Sequence, residues 1–196
     1  MKTEKKTVFE TAKHHTLTLL QTAIDTKKVD TEILPILTVI NQLPCYYTSS
    51  SCAGRILLLQ LPSLGDKKNA VFLGKWHRQV SIEEVNEAMK TASSGLIWIL
   101  SQSPIIHVIA KSLTDADKLV KVAISSGLKN SGFKTYDKKI VIELCSTERL
   151  DAPIGENDTI YCTKEHLVLL IKIANDIIIK SQEKINKFQK NLLKIL

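Results

Sequence analysis

The hydrophobic and polar positions change period several times along the chain, and each change marks an element. Between Val8 and Thr26 apolar residues recur at helical spacing, with Phe9, Ala12, Leu17, Leu20 and Ile24 on one side, which predicts a first helix. Asp30 stands at an N-cap position ahead of a second helix over Thr31–Gln42, whose first turn tolerates Pro35, and Pro44 closes the helical region. Apolar runs at Arg55–Leu61, Ala70–Trp76 and Leu96–Leu100 read as strands. Between the last two, Ser81-Ile82-Glu83-Glu84 has the form of a capping box and predicts a helix. Ile105–Ala110, directly after Pro104, and the β-branched run Lys139–Leu144 predict two more strands. Thr114-Asp115-Ala116-Asp117 opens a helix that Gly127 ends. Thr163 caps a long final helix in which Leu167, Ile171, Ala174, Ile178, Ser181, Ile185, Phe188 and Leu192 recur at spacings of four and three, a packing seam. Its first half is expected to dock on the domain's own core. Beyond Ser181 the tail is expected to project, or to pair with a second copy as a homo-oligomer.

Helices and strands mix without strict alternation. The expected fold is therefore α/β or α+β: a single domain over residues 1–196 with a mixed β-sheet flanked by helices. Its core spans about 29–175, with the N-terminal helix and the lysine-rich C-terminal helix attached. No Gly-x-Gly-x-x-Gly follows a strand and no Walker-type Gly-x-x-x-x-Gly-Lys occurs, so a doubly wound nucleotide fold is poorly supported.

Composition narrows the classes. With 196 residues, 44% hydrophobic and 24% charged, the chain can bury a substantial core in water. A formal charge of +7 is compatible with a polyanionic partner. No segment is apolar for long enough to span a bilayer, and Met1–Thr7 is too polar for a secretory signal, so no membrane role and a cytoplasmic location are expected. Cys45, Cys52, Cys145 and Cys162 form no Cys-x-x-Cys pair, which argues against a zinc ribbon or a thioredoxin-like motif and for reduced thiols.

The densest chemistry lies in Tyr46-Tyr47-Thr48-Ser49-Ser50-Ser51-Cys52-Ala53-Gly54-Arg55-Ile56. Rotatable hydroxyls, a glycine and an arginine fork suit a carboxylate, a phosphate or a ribose. A serine-rich turn entering a strand would use the same residues. Lys75-Trp76-His77-Arg78 joins an indole, an imidazole and flanking cations that could stack on a base and move a proton. His107 interrupts an apolar strand, where a backbone-bonded core or edge histidine is the plainer account. Gly127-Leu128-Lys129-Asn130-Ser131-Gly132 is a helix stop and turn, or a loop whose amides meet an anion. His77, His107 and Cys52 lack any metal-ligand spacing, so no metal is expected. Glu83 and Glu84 suit a helix N-terminus rather than paired acid–base work. No Gly-x-Ser-x-Gly elbow supports a serine hydrolase.

Taken in order, Asp30, the Tyr46–Ile56 stretch, Lys75–His77, Pro104-Ile105-Ile106-His107-Val108 and Gly127–Gly132 resemble the tRNA wybutosine-synthesising protein 3 family, over roughly Val29 to Asn175. Ser-Ser-Cys-(small)-Gly-Arg is its most specific piece; Ala53 stands where serine is more usual, so that hydroxyl is dispensable here. The chain's size resembles the archaeal stand-alone form.

The resemblance implies an S-adenosylmethionine-dependent transferase in wybutosine biosynthesis. Its expected reaction methylates ring nitrogen 4 of 7-aminocarboxypropyl-4-demethylwyosine, the modified guanosine 3′ of the anticodon in phenylalanine tRNA, on a fold unlike the usual Rossmann methyltransferases. On that footing His77 is the first candidate base and His107 the second, with Asp30 orienting the histidine, binding the donor, or simply capping a helix. Ser49, Ser50, Ser51 and Arg55 are candidates for the donor's carboxylate or for the substrate's own aminocarboxypropyl group. Tyr47 and Trp76 are candidates for sandwiching adenine or the tricyclic base, with Lys75 flanking them. Lys129 and Ser131 suit the tRNA backbone or the donor. Lys172, Lys180, Lys184, Lys187, Lys190 and Lys194 give the last helix a basic face for phosphates, or a solvated one. Two rivals remain: a non-catalytic RNA-binding or scaffold protein, and a hydrolase acting through Cys52 or one of the serines.

Overall fold

Strand periodicity resolves into two sheets, each in its own compact unit, in a computed structural model that describes residues 7–194. Residues 1–6 of the polar leading segment lie outside the described residues. Unit 1 comprises Met1–Ala53, Pro104–Thr147 and Lys184–Leu196; unit 2 comprises Gly54–Ser103 and Glu148–Glu183. Every strand pair in both sheets is antiparallel. The fold is thus α+β, and the expected mixed sheet is two antiparallel ones.

In unit 1, helix α1 (Val8–Asp25) is followed by a 3₁₀ turn (Thr31–Ile33) and helix α2 (Leu34–Gln42). The sheet has the order β1 (Tyr46–Cys52), β5 (Ile105–Ala110), β7 (Ile140–Cys145), β6 (Gly132–Thr135). Ile106, Val108, Ile142 and Leu144 face a core shared with α2 and with helix α4 (Leu113–Ser125). Successive strand residues point to opposite faces, so His107 and Glu143 lie on the other side. Helix α1 has no fully buried residue. A capping box between Thr7 and Glu10 starts it, and it is tied down by Phe9 edge-on to Tyr47 with centroids 5.2 Å apart, by Leu20 against the core, by Glu10 pairing with Lys111 and by Lys13 donating to the Leu43 carbonyl.

In unit 2 the sheet order is β3 (Val71–Trp76), β2 (Arg55–Leu61), β4 (Leu96–Gln102), β8 (Arg149–Glu156), β9 (Thr159–Ile160). Ile56, Leu58, Ile97 and Ile99 meet Val85 of helix α3 (Ile82–Met89) and Leu167, Leu170, Ile171 and Ala174 of helix α5 (Lys164–Leu193). Ser81 and Glu84 form the expected capping box, and Arg78 pairs with Glu84, whose pKa its hydrogen bonds pull down to about 2. Asn175 bonds both the amide and the carbonyl of Val80, and Ser101 donates to the Ala174 carbonyl.

Several expectations are corrected. The hydroxyl run is a strand, β1, rather than a turn. Asp30 makes no side-chain cap to the helix; its carboxylate accepts the Ala53 amide, 2.8 Å away, at the end of β1. Helix α4 starts from Ser112, whose hydroxyl accepts the Asp115 amide, rather than at Thr114. Beyond Ser181 the tail does not project: Ile185, Phe188 and Leu192 are buried in the core of unit 1. That use of the seam leaves Lys187, Lys190 and Lys194 exposed on the opposite face, whereas half-buried Lys184 lies over Gly127. Among the described residues no helix is long and apolar enough to cross a membrane.

Candidate active site

Pairing register in unit 1 puts Ser50 opposite His107 and His107 opposite Glu143, after a bulge at Ser49. The three side chains form one chain of hydrogen bonds across three neighbouring strands. Ser50 Oγ lies 2.7 Å from His107 Nδ1, and His107 Nε2 lies 2.8 Å from Glu143 Oε2. Lys134 of β6 closes the row, 2.9 Å from Glu143 Oε1. An ionised carboxylate can only accept, so Nε2 carries the hydrogen in that contact; in the neutral ring Nδ1 is then the acceptor, and Ser50 donates to it. This sets one tautomer, with its basic nitrogen turned toward a hydroxyl.

Burial by itself would raise the Glu143 pKa, but hydrogen bonds from Lys134 and His107 outweigh it and hold the carboxyl below its usual range. A carboxyl whose pKa falls on folding stabilises the native state above its unfolded value, and the benefit disappears as pH drops through the folded value. Glu143→Gln is therefore expected to be less stable than wild type at pH 7, with the gap closing below about pH 4. Thermal melts across pH test this; a gap independent of pH would detach Glu143 from the ion pair.

Ser49, Ser50 and Ser51 line a cleft of about 350 Å³ whose other wall is α1 and the segment after it, through Leu19, Leu20, Ala23, Lys28 and Val29. Hydroxyls, one ammonium and an apolar wall suit a ligand with a flat base and a polar head. Tyr47 is buried against Phe9, and burial pushes its phenol pKa up. Ser131 hydrogen-bonds the Cys145 amide, joining the segment before β6 to the end of β7, while Lys129 is exposed beside it.

Unit 2 holds the other candidates. Arg55 Nε donates to Gln102 Oε1 at 2.9 Å. Trp76 packs against the unit's core with its ring over Gly74, where a Cβ would come within 1.9 Å of the indole. That close approach explains the glycine in mid-strand. Lys75 is exposed and His77, just past the strand, is partly buried. A second cleft of about 470 Å³ lies on the sheet face bearing Arg55, Leu57, Leu59, Trp98 and Gln102, with Arg149 and Asp151 at its edge.

Sequence reasoning brought Ser50 and His107 onto one site without knowing that they touch. It named Arg55 of the second cleft but missed Glu143, Lys134 and the rest of that cleft. Two signals were present: a glutamate between Ile142 and Leu144 in an apolar run, and the runs of β2 and β4, apolar at adjacent positions where a half-solvated strand would alternate.

Residues 9–194 match the family model described as Methyltransferase TYW3. The chain is 45% identical over 185 residues, 94% of each chain, to a Pyrococcus horikoshii protein named tRNA(Phe) 7-((3-amino-3-carboxypropyl)-4-demethylwyosine(37)-N(4))-methyltransferase 1. A Thermococcus sibiricus protein named for the same activity is 40% identical, with 95% of each chain covered. The solved structure of the PH1069 protein from Pyrococcus horikoshii superposes with a TM-score of 0.91 at 45% identity, covering 94% of this chain and 95% of that one. At 24% identity, a hypothetical protein from Aeropyrum pernix shares the fold with a TM-score of 0.75.

Proposed function

The chain belongs to the Methyltransferase TYW3 family, and from that kinship we propose that it methylates ring nitrogen 4 of 7-aminocarboxypropyl-4-demethylwyosine at position 37 of phenylalanine tRNA. The observation that carries the reaction is 45% identity, over 94% of the chain, to a relative named for it. The family match runs through both units, which supports treating residues 1–196 as one functional domain. The work belongs in the cytoplasm, where tRNA is the substrate.

S-adenosylmethionine is the methyl donor of this proposal, supplying an electrophilic methyl group on a sulfonium. The serine cleft of unit 1 fits such a ligand: Ser49, Ser51 and Lys28 for its polar groups, and Leu19, Leu20 and Val29 for its base. As the N–CH₃ bond forms and the S–CH₃ bond breaks, the ring nitrogen must lose one proton. We assign that proton to the Ser50–His107 pair. Ser50 Oγ accepts it while passing its own hydrogen to Nδ1, and Glu143 holds the resulting imidazolium. The carboxylate on its far nitrogen orients His107 to act as the base.

The exposed lysines of α5 suit tRNA phosphates. Replacing Lys187 and Lys190 together with alanine is expected to weaken tRNA binding and to lower the slope of log affinity against log salt by roughly one unit per lysine. A salt titration with an unchanged slope would leave these lysines as solvated surface.

Incubation with labelled S-adenosylmethionine and phenylalanine tRNA from a strain lacking the gene, followed by nucleoside mass spectrometry, tests the reaction. One added methyl on the tricyclic guanosine supports it. Tight tRNA binding with no methyl gained would favour a non-catalytic RNA-binding role.

A further inference from the structure

The second cleft has a graded floor. In an antiparallel sheet covered on one face, the other face is ordinarily polar. In unit 2 the helices pack on Ile56, Leu58, Ile97 and Ile99, yet the opposite face of β2 and β4 is also apolar. Strand register arranges it in cross-strand rows. Arg55, Gln102 and Arg149 form the first row, Leu57, Leu100 and Asp151 the second, and Leu59 and Trp98 the third. Phe72 of β3 stands opposite Leu59, with 56% of its surface exposed. Polar groups therefore collect at one end: two guanidinium groups, an amide and a carboxylate that pairs with Arg149. The rest is leucine and aromatic surface, with the buried indole nitrogen of Trp98 making no hydrogen bond. Only strands and the 62–70 loop line the cleft.

We propose that this cleft grips the substrate base by its amino-acid arm; the inference rests on the reaction proposed above. An aminocarboxypropyl group ends in a carboxylate and an ammonium, which Arg55 with Arg149, and Asp151, respectively complement. Successive rows on one face lie about 7 Å apart, the span of a three-carbon arm with its carboxylate. A carboxylate on the first row thus starts a flat ring system over Leu57 and Leu100 of the second row, from where it extends toward Leu59, Trp98 and Phe72 on apolar and aromatic surface. The open rim, with Lys67 at its edge, suits a base presented by a nucleic acid. Arg149 is thereby a specificity-determining residue, distinguishing tRNA that has acquired the arm from tRNA that has not.

The test compares binding of phenylalanine tRNA bearing the aminocarboxypropyl arm with the same tRNA carrying the tricyclic base without it. Wild type is expected to bind the armed tRNA at least ten-fold more tightly. Arg149→Ala is expected to abolish the preference, and Arg149→Lys to restore only part of it, since an ammonium lacks the fork. Affinity for S-adenosylhomocysteine is expected to stay at the wild-type value in both variants. An unchanged preference in Arg149→Ala overturns the proposal. So does a loss of S-adenosylhomocysteine binding with tRNA preference intact, which would give the cleft to the donor's own amino-acid end. Methylation by the wild type is scored separately: its absence sinks the reaction, whereas its presence with an unchanged preference sinks only the arm site.

Discussion

Replacing His107 with alanine is expected to slow methyl transfer by about 10²–10⁴-fold, the range over which a positioned general base acts, while donor and tRNA affinities change little. The expectation follows from three contacts. Glu143 holds the Nε2 side, Lys134 keeps Glu143 charged, and Ser50 occupies the Nδ1 side, where the proton arrives. Single-turnover assays with saturating tRNA separate this chemical step from binding. Glu143→Gln keeps the shape but removes the charge that faces the imidazolium, so a slower methyl transfer with unchanged donor and tRNA affinity is expected. Ser50→Ala distinguishes a relay from direct transfer: a loss as deep as that of His107→Ala places the hydroxyl on the proton's path. Wild-type turnover in His107→Ala would return the role to His77.

Phe188→Ala is expected to cost about 3–5 kcal/mol of stability, the range for deleting a fully buried aromatic ring. Its side chain has no exposed surface and packs with Ile185 and Leu192 among the residues of α2 and α4. A denaturant midpoint read by circular dichroism measures the loss. The Lys187→Ala, Lys190→Ala double variant, made on the exposed face of the same turns, is expected to shift that midpoint very little. A similarly small shift for Phe188→Ala would mean that the last turns of α5 are not part of the unit 1 core. The two faces of one helix end are thus separable, one for folding and one for charge.

Local signals were legible where local chemistry decides the structure. The Ser81 capping box, the apolar edges of β2 and β5, and the left-handed stop at Gly127, with φ of 105°, all followed from short stretches of chain. Strand β1 was not, because Tyr46–Cys52 owes its conformation to pairing with β5, some sixty residues away, rather than to its own turn-favouring serines. Strand β8, Arg149–Glu156, was hidden for the same reason: its proline and glycine speak against a strand, and pairing with β4 overrides them. Asp30 shows the limit from the other side. Its residue type suggested a helix cap, but its carboxylate accepts the amide of Ala53, which sequence spacing could not reveal. Within the site, Ser50, His107 and Glu143 come from three separate stretches and meet only through sheet register. Glu143 therefore stood out only as a charge in an apolar strand, and its role did not show until its neighbours were known.

Helix α1 brings a thermodynamic consequence to the serine cleft that it walls. A helix with no fully buried residue, held by one ring contact, a half-buried leucine, a lysine and one ion pair, contributes little to the global stability of the unit. Its opening free energy is set by those few fastenings, so its amides exchange with solvent through local excursions rather than through unfolding of the sheet. The wall can therefore be displaced while Ser50, His107 and Glu143 keep their register, and admission to the cleft is decoupled from the persistence of the relay behind it.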